Sequence, residues 1–168
     1  MHKRLFLLGL LATAVITVAG GQAAQAQTPI RHSLYQQYID PFTAPGWQRA
    51  RTDMGVDWLV TRPEPVLAIG DAVIVGSNSH DGGWPGRHFI WYRLLDGSHV
   101  GDTIYVAEHI THLLSAGAHV RAGQKIAEAL PGGTGTEWGW AEPTGATRAH
   151  RCYHEGHATH SAGRWLAS

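Results

Sequence analysis

Between residues 55 and 141 the chain is a succession of short apolar runs, each closed within a few residues by glycine, proline, asparagine or aspartate. Compact β-type runs fall at 56–60, 65–69 and 72–75, with Gly70-Asp71 as the turn between the last two. Residues 77–86, with Asn78, Asp81, Gly82, Gly83, Pro85 and Gly86, read as an exposed loop. Runs at 89–95 and 103–107 flank an Asp96-Gly97 hairpin signal, 117–127 reads as a further hairpin, and 136–141 is a last, tryptophan-rich strand. No helical period alternates with these runs, so the expected class is all-β: a small sandwich or barrel-like sheet core over residues 51–142. Before it, residues 27–50 carry Pro29, Pro41 and Pro45 and read as a lead-in on the domain edge, with a short helix around 34–39. After it, residues 143–168 form a histidine-rich tail, a loop leading to a short terminal helix weakened by Gly156 and Gly163.

The first residues argue for export. His2, Lys3 and Arg4 precede an apolar stretch from Leu5 to Ala19, and Ala24-Gln25-Ala26 supplies a small-x-small cleavage pattern, so a signal peptide of residues 1–26 is expected. The apolar stretch is short for a bilayer span, which needs about 20 residues. No second long apolar run follows, so no membrane span is expected after cleavage. Cleavage removes Lys3 and Arg4 from totals of 13 basic and 13 acidic residues, leaving 11 and 13. Such a balance lacks the basic stripe of a nucleic-acid binder. The remaining chain suffices for one domain with a core. The single cysteine, Cys152, permits no internal disulfide, so packing must supply the stability.

Several segments, in order, resemble a known family. Asp53-Met54-Gly55-Val56-Asp57 is similar to the first metal motif, His-x-Gly-x-Asp, of the lysostaphin-type zinc endopeptidases that act on peptidoglycan. The run Pro65-Val66-Leu67-Ala68 followed by Asp71-Ala72-Val73-Ile74 resembles that family's strand pair. Residues Gly117 to Ile126 match its Gly-x-x-Val-x-x-Gly-Gln-x-Ile segment. Lipoyl and biotinyl carrier domains share that last segment, but they need a lysine at the tip of a different, exposed turn. Lys125, the one lysine left after cleavage, lies inside the segment itself. The resemblance implies a sheet core of the duplicated hybrid-motif type, secreted, with peptidoglycan or another cell-envelope glycan or peptide as its partner.

The chemistry departs from the family at its metal. A catalytic zinc needs three protein ligands and an open position. Here Asp53 stands where the resemblance expects histidine, and Asp57 keeps the aspartate. The family's later His-x-His falls near residues 134–142, where Thr136-Glu137-Trp138-Gly139-Trp140 holds no histidine. Its Tyr-x-His-Leu falls near Tyr105, with His109 displaced by two residues and Glu108 beside it. If the chain were catalytic, His109 would be the residue to carry it. An acidic set suits hard cations, so Asp53, Asp57, Glu137 and Glu108 would converge either on weakly held calcium or on arginine partners around a metal-free cleft. Zinc and calcium are thus the candidate metals, and no cofactor is the expected state. In the tail, His154, His157 and His160 near Cys152 present imidazoles that suit zinc or copper, or are incidental to a glycine-broken surface segment.

Trp138 and Trp140 alternate along one strand and therefore share a face. On the cleft side they would stack on sugar or peptide, with Trp84 closing the same groove from its glycine-rich loop; on the other side they would be core. The expectation is a secreted, non-catalytic lysostaphin-like domain that binds a cell-envelope component. The alternatives are a divergent metal-dependent cell-wall endopeptidase and a partner that regulates a cell-wall hydrolase.

Overall fold

The computed structural model describes residues 38–154 and 157–159. The signal peptide expected at residues 1–26, residues 27–37 of the lead-in, His160 and the terminal helix expected after it lie outside the described residues. Among those described, the elements are strands and two single 3-10 turns, Pro85–Arg87 and His150–Cys152. No helix is long and apolar enough to cross a membrane among the described residues.

Ten strands follow in chain order: β1 (Trp47–Thr52), β2 (Val56–Val60), β3 (Glu64–Leu67), β4 (Ala72–Asn78), β5 (His88–Leu94), β6 (Thr103–Glu108), β7 (Ile110–Thr111), β8 (His119–Val120), β9 (Lys125–Ala129) and β10 (Thr136–Ala141). Seven form one antiparallel sheet in the order β1-β2-β10-β6-β5-β4-β8, and three form a second, β3-β9-β7. The runs expected at 56–60 and 136–141 coincide with β2 and β10. The fold is all-β, as the turn-punctuated sequence requires. The larger sheet ends on two free edges, so it is no closed barrel.

The core lies between the sheets. Ile74, Ile90, Tyr92, Ile104, Val106 and Trp138 from the large sheet meet Val66, Ile126 and Ala127 from the small one. Phe42, in the lead-in, stacks on Trp58 with ring centroids 3.7 Å apart and meets Trp138 edge-on at 5.1 Å. Strands buried on both faces read as continuous apolar runs, which is the pattern of β6 and β10, where every residue is buried.

Two expected pairings take another form. Residues 117–127 are no hairpin: β8 pairs with β4, whereas β9 pairs with β3 and β7. The turn from Arg121 to Gln124, with Gly123 at φ 80°, carries the chain from one sheet to the other. The strands on either side of Gly70-Asp71 part in the same way. The two crossovers brace each other, Gly123 N donating to Ala68 O at 2.8 Å and Ala68 N to Gln124 O at 2.9 Å. A short turn thus marks a change of sheet here as readily as a hairpin. β1 starts at Trp47, inside the stretch read as lead-in; Gln48, Arg49 and Ala50 are exposed on the sheet edge and show no alternation.

Candidate functional site

Side-chain alternation gives the large sheet an inner and an outer face. Even-numbered residues of β5, β6 and β10 point into the core. Odd-numbered ones point outward, where Phe89, Tyr105, Ala107 and Ala141 form a second buried cluster flanked by Trp84 and Trp91. Trp138 and Trp140 share a face, but it is the core face, so they do not line an outer groove. Trp138 is 1 % exposed; Trp140 lies 5.0 Å from the His99 ring and carries the Arg148 guanidinium over it at 5.8 Å. The aromatics on the outer face are Trp84, Phe89, Trp91 and Tyr105, of which the sequence reading had placed only Trp84 at a groove.

The carboxylates gather at one end of this outer face. Glu137 on β10 lies directly across from Asp57 on β2, one strand over. Asp57, Glu108 and Glu137 bring one oxygen each within 4.8 Å of one another. Asp53, in the tight β1–β2 turn, joins them through Arg51, whose Nε lies 2.9 Å from Asp57 Oδ2 and 3.1 Å from Asp53 Oδ2. Tyr105 donates its hydroxyl to Glu137, and Thr134 donates its hydroxyl to Glu108. All four carboxylate residues are at most 2 % exposed. Asp53, Asp57, Glu108 and Glu137, collected from three separate sequence segments, therefore do converge.

Burial and mutual repulsion govern the protonation of the two glutamates. Desolvation pushes Glu137 up from 4.5 to about 8; Asp57, Asp53 and Glu108 push the same way, against the Tyr105 hydrogen bond. Desolvation likewise lifts Glu108 to about 7, with Asp57 and Asp53 adding and the Thr134 bond and Arg51 opposing. The Tyr105 hydroxyl is held well above its usual range by burial and then by Glu137, so it stays a donor. The cluster offsets crowding by keeping protons.

Among the described residues, histidine is absent from this constellation. His109 bends away: its Nε2 would lie 2.4 Å from a Cβ on Gly133, so the ring fills the space beside the 132–135 turn. The reason is backbone geometry. Glu108 takes a left-handed conformation, φ 79°, at the end of β6, and turns its own side chain toward Asp57 while His109 passes to the other side. Such a φ in a non-glycine residue marks a place where surrounding structure overrides local preference. Among the described residues the set is all carboxylate, which does not fit a catalytic zinc, an ion that prefers histidine and cysteine ligands in tetrahedral geometry.

The tail contributes no metal group among the described residues. His154 and His157 face each other across an antiparallel bridge, with His157 N donating to His154 O at 2.9 Å, so this stretch reverses direction rather than forming a helical face. The tail does reach the site region: Thr159 N donates to Asp53 O at 2.8 Å, and Thr147 Oγ1 donates to Met54 Sδ at 3.0 Å.

No family model matches this sequence. No curated protein matches it either. Among solved structures the chain is similar to the catalytic domain of the antimicrobial peptidase lysostaphin from Staphylococcus simulans, with 16 % identity and a TM-score of 0.47 over 63 % of this chain and 91 % of that one. A likeness at this level fixes neither family nor activity.

Proposed function

We propose that the chain is an exported, non-catalytic domain that binds a cell-envelope glycan or peptide on the outer face of its large sheet. The observation that carries this is the make-up of that face. Where the sequence resemblance expects zinc-holding histidines it has Asp53 and Glu137, buried beside the retained Asp57 and a row of aromatic rings. Asp57, Glu108 and Glu137 offer only oxygen ligands, a poor match for the zinc that would activate a water. Trp91, half-buried, offers the planar apolar surface on which sugar rings and peptide backbones stack, and Trp84 lies over the neighbouring Phe89 and Tyr105 rings. The ordered motif resemblance favours peptidoglycan as the polymer.

The test is co-sedimentation of the signal-free chain with purified peptidoglycan, followed by mass spectrometry of the soluble fraction. Retention on the polymer without release of peptide or glycan fragments supports the reading. Fragment release that a chelator abolishes would replace it with a metallopeptidase. Neither retention nor release would leave a partner-protein role, to be sought by capture from envelope extract.

A second reading has its own observation. Three carboxylates within 4.8 Å suit a hard cation such as calcium, which takes oxygen ligands. Calorimetric titration of calcium into the chelator-treated chain, with Asp57→Ala beside it, decides: heat that disappears in the variant supports a cation site, and no heat in either protein removes it.

A further inference from the structure

The outer face is not open in this conformation, because one of the chain's own rings fills it. Trp84 stacks on Phe89, with centroids 5.7 Å apart and planes 18° from parallel, and lies 5.5 Å from the Tyr105 ring. Tyr105 in turn holds Glu137. A loop residue therefore occupies the space directly above the pair where aromatic and acidic ends of the face meet.

The loop carrying Trp84 leaves β4 at Asn78 and returns at His88, and its root is pinned by Asp81 N donating to Arg87 O at 2.9 Å. Within it, a Cβ on Gly82 would meet nothing within 4 Å, and one on Gly83 would meet only Asp81 Oδ1 at 3.2 Å. At the other side of Trp84, Gly86 has φ 69° and presses so closely on Glu108 that a Cβ would sit 2.6 Å from its carbonyl oxygen. Strain collects at this contact. Among the described residues, non-glycine left-handed backbone occurs at Arg87, Glu108 and His112, and His88, the residue after Arg87, pairs with Glu108 across β5 and β6 where the loop root meets the carboxylates. Conformations of this kind persist when surrounding packing holds them, and they cluster at switching segments.

We propose that residues 79–87 form a lid, hinged at Gly82-Gly83 and at Gly86-Arg87, whose Trp84 occupies the ligand position and swings out to admit the ligand. The proposal rests on the binding reading of this face and specifies how the face opens. Trp84 stands in for the occupant's ring or chain, so the face stays dry and its carboxylates shut until a ligand of similar shape displaces the indole. Gly82 and Gly83 supply the freedom for that excursion, and the close Gly86–Glu108 contact is released when it occurs.

The experiment is carboxyl footprinting of the full chain, without ligand, using a water-soluble carbodiimide and glycine ethyl ester, with labelling of Glu137 read by mass spectrometry. Trp84→Ala removes the plug and is expected to raise the Glu137 labelling rate by roughly tenfold or more, since opening no longer limits access. Gly82→Ala has room for its methyl and a backbone outside the left-handed region. By narrowing the hinge's freedom in the open form it is expected to slow labelling about two- to fivefold. Unchanged labelling in Gly82→Ala, or continued protection of Glu137 in a folded Trp84→Ala, would overturn the lid. Should Trp84→Ala lose its cooperative melt, Gly82→Ala decides alone. Because no polymer is present, failure here leaves co-sedimentation with peptidoglycan untouched, and failure there leaves the lid measurable.

Discussion

The two faces of the large sheet are built from the same strands, yet they solve opposite problems. On β10, Trp138 and Trp140 point inward while Glu137, Gly139 and Ala141 point outward; on β6, Ile104 and Val106 point inward while Tyr105 and Ala107 point outward. Both faces are buried, the inner by the three-stranded sheet and the outer partly by the loop bearing Trp84. The inner face gains stability from apolar area alone, roughly 25 cal/mol per Å² removed from water. The outer face hides carboxylates, which only protons, hydrogen bonds and Arg51 make tolerable. Burial by itself does not distinguish a core from a site; what is buried does. The comparison breaks most visibly at tryptophan. Trp138→Ala should cost about 3–5 kcal/mol in a denaturant titration, the usual loss for a ring removed from close packing. Trp91→Ala, on a half-buried outer ring, should cost about 1–2 kcal/mol. Equal losses would mean the outer face is simply a second core.

The next effect lies in pH dependence. Glu137 titrates at about 8 and Glu108 at about 7 in the folded chain, against 4.5 for an ordinary glutamate. The folded state therefore keeps protons that the unfolded chain releases above 4.5. Stability should be fullest below that value and decline as pH rises, with the loss complete above about 8. Glu137→Gln keeps a partner for the Tyr105 hydroxyl and never charges. In chelator-containing buffer it should match the wild type near pH 4 and exceed it by about 2–3 kcal/mol near pH 9, a figure set below the full ~1.4 kcal/mol per unit because the two glutamates share their titration. Urea unfolding across that range measures it. Parallel stability curves for the two proteins would sink the proton-holding account.

How much of this was legible follows from the same two faces. The strands at Val56–Val60 and Thr136–Ala141 could be read to the residue because turn residues bound them. The acidic identity of the site could also be read, since Asp53, Asp57 and Glu137 stand in motif positions. The side on which Trp138 and Trp140 lie could not. Alternation places them together, but in a strand buried on both sides no polar parity says which face is inward. Glu137 was the missed signal: a carboxylate at an odd position, in register with Asp57, assigns the odd residues to the site and the tryptophans to the core. His109 failed for a different reason. One left-handed residue, Glu108, reverses which of two neighbours faces the cluster, and no pattern in the sequence announces a positive φ at glutamate. The sheet change at residues 121–124 escaped because Gly-Gln turns serve hairpins and crossovers alike.

The smallest effect tests whether the acidic end behaves as one unit. Asp57 faces Glu137 across the β2–β10 ladder, and its charge, after burial, does most to hold the Glu137 carboxyl protonated. It also shares Arg51 with Asp53. Asp57→Asn keeps the shape, removes one repelling charge, and leaves the guanidinium more available to the remaining carboxylates. Both consequences favour ionised Glu137, so its midpoint should fall by roughly one unit, followed by carbon NMR of the labelled glutamate carboxyls. Asp102→Asn, at the distant His99–Arg148 pairing, should leave it in place. An unmoved midpoint in Asp57→Asn would mean that the four carboxylates do not sit together in solution. The outer face would then be an aromatic surface with separate acids at its margin, and neither a cation nor a proton would have a shared place to bind.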